Sequence, residues 1–181
     1  MRDETKYAYD NSRAVQSERL AALAEALDPG TVRHLDSIGV GRGWRCLEVG
    51  AGGGSIAAWL SERVAGDGAV VATDLDTTVL RELSRPNLEI RVHDVLEDDL
   101  PEGLAGAGLE DVACDGRVSM WRGAEVGGAL WRLTVIQVRE AMLASGLVTE
   151  ADIEHVLALC DDPAFSSVSP IVMAARGRRP A

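Results

Sequence analysis

The sequence predicts an α/β fold built on a mostly parallel sheet with crossover helices. Residues 44–49 form a short apolar run that is typical of a buried strand, and residues 69–73 and 88–92 are predicted as a second and a third strand. Between the strands, residues 55–64 carry apolar residues at helical spacing, and residues 77–83 are predicted as a short helix. Strand and helix therefore alternate from residue 44 to residue 92, which is the order that produces parallel strands.

The segment before this α/β core is predicted to be helical. Apolar residues at helical spacing predict a helix over residues 11–27. Asp28-Pro29-Gly30 is a stop signal, and Pro29 suits the first turn of a second short helix at 31–38.

The segment after the core is predicted to combine helices with two closing strands. Thr149 followed by Asp152 resembles a capping box, with Asp in place of the usual Glu, that opens a helix. The remaining predicted elements are helix 129–143, helix 150–159 and an antiparallel pair of strands at 112–120 and 168–175.

Composition describes a globular chain and restricts its partners. The 181 residues are 46% hydrophobic, which is enough to build the core of one domain. A net charge of -11 disfavours nucleic acid, because that binding depends on Lys and Arg neutralising phosphates. No stretch approaches the ~20 apolar residues of a membrane helix, and no secretory signal is visible at the start. We expect a cytoplasmic protein that binds neither nucleic acid nor membrane.

The cysteines and histidines predict neither a disulfide framework nor a metal site. Cys46, Cys114 and Cys160 are widely spaced, so three reduced, mostly buried thiols are expected. His34 and His155 lie on predicted helices without paired ligands, so we expect no bound metal.

The most informative segment is the glycine-rich turn Gly50-Ala51-Gly52-Gly53-Gly54, between the first strand and the first crossover helix. Glycine lets backbone approach a ligand closely, and a helix start offers unpaired amide donors. The dinucleotide fingerprint would need glycine where this chain has Ser55. Glu48 would also repel a pyrophosphate, whereas it would attract the sulfonium and ammonium groups of S-adenosylmethionine.

Glu48-x-Gly50-x-Gly52-x-Gly54 resembles motif I of the class I S-adenosylmethionine-dependent methyltransferases, a family with a Rossmann-like sheet. The resemblance implies that this segment binds S-adenosylmethionine. The residues that it assigns to the cofactor are Glu48, Gly50, Ala51, Gly52 and Gly54.

The ends of the next two strands resemble further motifs of that family. Asp74-Leu75 is similar to the second motif, which implies that Asp74 holds both ribose hydroxyls and that Leu75 packs on adenine. Asp94-Val95 resembles the adenine motif, so Asp94 would accept from the exocyclic amine and Val95 would contribute a backbone amide.

Several of these residues have a purely structural alternative. Glu48 could cap or pair near a helix start, although a buried acid at a strand end is costly without a partner. Asp76 competes with Asp74 for the ribose but is equally credible as a helix cap before Thr77-Thr78. His93 could serve as a general base or have only a structural role.

The N-terminal segment is placed where this family has its lid, and Tyr7 and Tyr9 are lid candidates or simply packing residues. In the second half, some residues could line an acceptor pocket, or could be core tryptophans with outward arginines. They are Trp121, Arg122, Trp131 and Arg132.

Compared with this family, the chain is expected to lack the fourth and fifth strand units, because residues 104–112 already resemble a later part of the family's fold. We therefore expect a Rossmann-like, mostly parallel sheet flanked by helices and shortened to about five strands, in the order 3-2-1-7-6. Alternatively, the open edge of the first strand could recruit a second copy and form a homodimer.

Together these observations predict one methyltransferase-like domain over residues 1–181, with a helical lid at 1–43, a cofactor half at 44–103 and closing elements at 104–181. The resemblance implies methyl transfer from S-adenosylmethionine to a small-molecule acceptor. The alternatives are a catalytically impaired module that binds S-adenosylmethionine or S-adenosylhomocysteine, and a nucleotide-binding or structural domain. The sequence identifies no catalytic base and no acceptor.

Overall fold

A computed structural model describes residues 13–94, 106, 108–178 and 180. The chain forms two compact units. One consists of Met1–Pro29 and Met120–Ser167, and the other of Gly30–Ser119 and Val168–Ala181.

The first helix, α1 (Arg13–Ser37), is continuous and contains Pro29. The predicted stop at residues 28–30 is therefore wrong. A proline inside a helix loses one backbone hydrogen bond, but its fixed φ lies within the helical range, so the helix can continue at a local cost. The division between the two units follows Pro29.

The α/β core lies in the second unit. Its parallel sheet has the order β1-β2-β3, formed by β1 (Arg45–Val49), β2 (Ala69–Asp74) and β3 (Leu88–Val92). Helix α2 (Ser55–Val64) connects the first two strands. These elements confirm the predicted α/β class and its parallel strands.

The connection from β2 to β3 is a short 3-10 turn, Leu80–Glu82, where the sequence predicts a helix over 77–83. Pro86 follows closely and disfavours helical backbone at the residue before it. The helix predicted over 77–83 is therefore present as a single 3-10 turn only.

Helix α2 packs on β2 through small and branched apolar side chains. Ala57 and Ala72 are fully buried in one cluster with Leu80. Val64 and Val70 lie in a second cluster with Leu60 and Val40. The small residues permit close approach of helix and sheet where the glycine-rich turn must reach the end of β2.

A separate antiparallel ribbon completes this unit. It consists of β4 (Glu110–Arg117) and β7 (Val172–Arg178), which confirms the predicted antiparallel pairing of the closing strands. The expected five-stranded order 3-2-1-7-6 is wrong, because the strands of the described ranges form one sheet of three and two of two. Two strands that pair with each other already satisfy one edge each. Motif order alone could not predict which sheet they join.

The first unit contains α3 (Val126–Ala144), α4 (Glu150–Asp161), the short strand β5 (Met120–Arg122) and the first two residues of β6 (Ser166–Val168). The start of α3 lies against the end of α4, where the amide of Ala124 donates to the carbonyl of Cys160 at 2.8 Å. A Cβ on Gly123 would lie 2.1 Å from the carbonyl oxygen of Asp162, so only glycine fits this contact. The pairing of β5 with β6 was not predicted.

The cysteines differ from expectation at one position. Cys46 is half-buried and Cys160 is buried, but Cys114 is exposed on the ribbon, and all three are free thiols. Burial raises the pKa of the Cys46 thiol and of the Cys160 thiol. Less thiolate at neutral pH makes both weaker nucleophiles.

The capping box of α4 is present as the sequence predicts. The Thr149 hydroxyl accepts from the amide of Asp152 at 3.3 Å, and the Asp152 carboxylate accepts from the amide of Thr149 at 2.8 Å. The side-chain hydrogen bond from Thr149, and then the backbone one, lower the pKa of Asp152.

A depressed pKa makes this cap sensitive to acid. The stabilisation is present above the unfolded pKa of about 3.9 and is lost as the pH falls through the lower folded value. We expect Asp152→Asn to be less stable than the wild type at pH 7 and to lose less of its thermal midpoint between pH 5 and pH 2. Thermal unfolding followed by circular dichroism checks this, and parallel pH profiles for the two proteins would contradict it.

Candidate functional site

The glycine-rich turn joins β1 to α2 at the carboxyl end of the parallel sheet. Gly50, Gly52 and Gly54 have φ values of +71°, +53° and +78°, a region that favours glycine. The three positions therefore need glycine for backbone reasons, whatever binds there.

Two of these glycines have different surroundings. A Cβ on Gly54 would lie 2.3 Å from Cδ1 of Leu83 and 2.8 Å from Cδ2 of Leu80, so this glycine packs against the connection after β2. A Cβ on Gly50 would meet nothing within 4 Å. Gly54 thus lets the turn pack closely against the core, whereas Gly50 borders open space that a ligand could fill.

Asp74, the last residue of β2, holds the middle of the turn. Its Oδ2 accepts from the amide of Gly52 at 2.8 Å, and its Oδ1 accepts from the amide of Asp76 at 3.1 Å. Hydrogen bonds to an ionised carboxylate are among the stronger ones in proteins. The structure therefore brings together two predicted site residues, Gly52 and Asp74, that are 22 positions apart.

Thr73 reinforces the same junction. Its carbonyl accepts from the amide of Ala51 at 2.9 Å, and its hydroxyl donates to the carbonyl of Glu48 at 3.1 Å. Thr73 is buried. The sequence predicts no role for this residue, because nothing in its local pattern distinguishes it from an ordinary strand threonine.

Glu48 is half-buried near the end of β1. It lies opposite Ala72 in the register of the sheet, and Asp74 follows Ala72 by two residues. Because side chains alternate along a strand, Glu48 and Asp74 belong to the same face of the sheet. Two acids at neighbouring strand ends make this region favourable for a cation.

Leu75 and Asp76, the two residues after β2, have different surroundings. Leu75 is 51% exposed, which is unusual for a leucine beside a buried strand and leaves its side chain available for a flat apolar group. Asp76 accepts from the amide of Thr78 at 2.9 Å and from the Thr78 hydroxyl at 2.6 Å. Asp76 therefore caps the following turn, as the structural alternative for this residue predicts.

The end of β3 lies next to the end of β2. The amide of His93 donates to the carbonyl of Asp74 at 3.0 Å, and both His93 and Asp94 are exposed. Val95, and the lid candidates Tyr7 and Tyr9, lie outside the described residues.

The tryptophans of the second half pack against each other in the first unit, where Trp131 is half-buried. Trp121 is buried and makes an edge contact with Trp131, with ring centroids 6.0 Å apart. Arg122 is exposed, and Arg132 pairs with Asp161 at 2.9 Å. The alternative of core tryptophans with outward arginines describes this arrangement better than an acceptor pocket. Arg132 and Cys160 also line a cavity of about 420 Å³ within this unit.

The described part of the chain contains no group of three His, Cys, Asp or Glu residues that could hold a metal ion. Across the same part, no helix combines the length and apolar character needed to cross a bilayer.

No family model and no curated protein matches the chain. Among solved structures, the chain is similar to a SAM-dependent methyltransferase from Aquifex aeolicus, at 25% identity and a TM-score of 0.37. The match covers 49% of this chain and 50% of that one, so it spans about half the length of each.

Proposed function

We propose that the chain binds S-adenosylmethionine at the glycine-rich turn and transfers its methyl group to a small-molecule acceptor. The observation that carries this proposal is the position of Asp74. Its carboxylate lies against the turn, 2.8 Å from the amide of Gly52, and the exposed Leu75 follows it directly. An acid beside an apolar surface suits a ribose attached to an adenine.

The charges of the site favour this ligand over a dinucleotide. Glu48 and Asp74 share one face of the sheet at neighbouring strand ends. Their field attracts a sulfonium and an ammonium group and repels a pyrophosphate. A neutral residue at position 48 would leave only the Asp74 carboxylate and would weaken this preference.

The proposed adenine contacts come from the end of β3. Asp94 is exposed there, beside the end of β2, and would accept from the exocyclic amine of adenine. Val95 would add a backbone amide. These two roles rest on the motif resemblance and on the adjacency of the two strand ends.

The chain's own contribution to methyl transfer would be binding and orientation. When bound, S-adenosylmethionine supplies a methyl group that its sulfonium already activates for displacement. Rate then depends on holding the acceptor's nucleophilic atom in line with that methyl group. A base is needed only where the nucleophile carries a proton, and we assign that role to no residue.

A second candidate function is a module that binds the cofactor or its product without turnover. The parallel sheet of the described residues has three strands, which is the half of such a fold that contacts adenosine. The further strands that would complete an acceptor pocket have no counterpart in that sheet. In either case the proposal includes no nucleic-acid or membrane partner, and a homodimer formed along the outer edge of β1 stays a prediction.

Isothermal titration with S-adenosylmethionine, S-adenosylhomocysteine and NAD tests both functions. We expect heat with the two sulfur ligands and none with NAD. Glu48→Gln should weaken S-adenosylmethionine by about fivefold or more and S-adenosylhomocysteine less, because only the former carries a sulfonium charge.

The matched control for this titration is Glu62→Gln, which removes an exposed carboxylate of α2 that pairs with Arg85. It should change neither affinity. Absence of heat with both sulfur ligands would refute both candidate functions. If the ligands bind, an assay of methyl transfer to a panel of phenols, amines and carboxylates separates an enzyme from a binding module.

A further inference from the structure

The Asp74 carboxylate is already engaged by the chain itself before any ligand is considered. Its two oxygens accept from backbone amides of two different segments, the turn after β1 and the turn after β2. We propose that Asp74 is a positioning residue, which holds the glycine-rich turn in the conformation that binds the ligand, in addition to its proposed contact with ribose. This inference rests on the proposed function only where it concerns ligand binding; the contact between Asp74 and the turn does not depend on it.

The two tasks do not compete for the same acceptor positions. A carboxylate offers about four lone-pair positions, two on each oxygen. The amide of Gly52 uses one on Oδ2, and the amide of Asp76 uses one on Oδ1. Two positions remain, one on each oxygen, which is the number that a vicinal diol requires.

The turn needs an external anchor because its own side chains cannot supply one. Gly50 and the run Gly52-Gly53-Gly54 carry no side chain, and Ala51 has only a methyl group. Glycine also has the most backbone freedom to lose when a segment is ordered.

The backbone of the turn is fixed at both ends. The amide of Ala51 donates to Thr73, and the amide of Gly54 donates to Ala51. Gly52 lies between these fixed points, and Asp74 is the side chain that holds it. Loss of the carboxylate should therefore loosen the turn locally while the sheet and α2 stay folded.

Amide hydrogen exchange of the ligand-free, 15N-labelled full chain tests the positioning role directly. We expect Asp74→Ala to speed exchange at Gly52 and Asp76 by about tenfold to hundredfold, since it removes two charge-assisted hydrogen bonds. The amide of Ala51, which donates to Thr73, should change by less than about threefold. Unchanged rates at Gly52 and Asp76 would overturn the proposal.

Two further variants keep this measurement interpretable. Asp76→Ala removes the neighbouring carboxylate, which caps Thr78 and does not bond to Gly52, so it should leave exchange at Gly52 unchanged. If Asp74→Ala loses protection from hydrogen exchange throughout the chain, exchange is measured in Asp74→Asn instead. The amides of Gly52 and Asp76 donate to different oxygens of Asp74, and asparagine places an NH2 donor at one of these two positions. Either Gly52 or Asp76 should therefore lose protection, and retention at both would equally overturn the proposal.

A ligand arm separates positioning from ribose binding. S-adenosylhomocysteine and its 2′,3′-dideoxy analogue are titrated into the wild type and Asp74→Asn. Loss of the diol contact alone would weaken only the parent ligand, whereas a loosened turn should also weaken the dideoxy analogue, by about fivefold or more. An unchanged affinity for the analogue would overturn the positioning role.

The two arms fail independently of the proposed function. If the wild type binds neither ligand but Gly52 loses protection in the variant, the proposed function is wrong and the positioning role of Asp74 stands. If the wild type binds S-adenosylhomocysteine but exchange at Gly52 and Asp76 does not respond, the positioning role is wrong and the proposed function stands.

Discussion

Gly54→Ala is expected to reduce the free energy of unfolding by about 2–5 kcal/mol, whereas Gly50→Ala should cost only about 1–2 kcal/mol. Both glycines have φ in the left-handed region, +78° and +71°, so an added Cβ meets backbone strain at each. Only at position 54 would it also collide, with Leu83 at 2.3 Å and with Leu80 at 2.8 Å. Leu80 is fully buried, so its side chain can move aside only by disturbing the packing of the core.

Urea denaturation of the two variants measures this difference. The pair is matched in chemistry and in φ, so a large difference between the two variants reports the packing contribution at position 54. A loss of this size is a large part of the ~5–15 kcal/mol that stabilises a typical domain, and Gly54→Ala is expected to unfold at a visibly lower urea concentration. Equal midpoints would mean that the turn can move away from Leu80 and Leu83 at no cost.

The same pair also distinguishes the two sides of the turn. Gly50 borders open space, so its added methyl group would project where the proposed ligand approaches. Gly50→Ala should therefore remain folded yet bind S-adenosylhomocysteine more weakly. Packing and ligand contact are thus separated within a segment of five residues.

Local sequence signals predicted the elements of the α/β core closely. Helix α2 begins and ends at Ser55 and Val64, as its apolar spacing indicates, and β3 spans the predicted residues 88–92. Both elements are amphipathic or apolar over their whole length, so burial and backbone preference act in the same direction. The capping box at Thr149 was also predicted correctly, because both of its hydrogen bonds lie within a segment of four residues.

The features that the sequence did not predict depend on distant parts of the chain. Pro29 is a strong local stop signal, yet α1 continues through it. The ribbon of β4 and β7 was predicted as a pair, but its attachment to β1 was wrong, because strand pairing between sheets has no local pattern. Only the tertiary structure determines which edge a strand occupies.

The candidate site shows the same division. The positions that need positive φ could be predicted, since glycines in a turn after a strand are a local signal. The bond from Gly52 to Asp74 could not, because its donor is a backbone amide, which every residue except proline carries. A sequence identifies an acid at a strand end, but not which amide it will accept from.

Asn87→Asp is expected to be strongly destabilising, by about 2–5 kcal/mol at pH 7, although it replaces one atom of the side chain. The side-chain amide nitrogen of Asn87 donates to the carbonyls of Ser61 at 2.9 Å and Ala65 at 3.1 Å, at the end of α2. Its side-chain oxygen accepts from the Ser61 hydroxyl, and its backbone carbonyl accepts from the amide of Val70 at 2.8 Å. One residue thus ties the end of α2 to the start of the β2–β3 pair.

A carboxylate at this position would direct negative charge at two carbonyl oxygens, and Ser61 is buried, so water can do little to screen it. Asn87→Ala is the control, because it removes the donor without adding charge, and it should cost less, about 1–3 kcal/mol. Protonation of the introduced carboxyl restores one donor. The folded state then binds more protons than the unfolded state, so Asn87→Asp should regain stability relative to Asn87→Ala as the pH is lowered from 7 to 4. Urea midpoints of the two variants at both pH values measure this, and a constant difference between them would show that Asn87 does not hold the end of α2 through its donor.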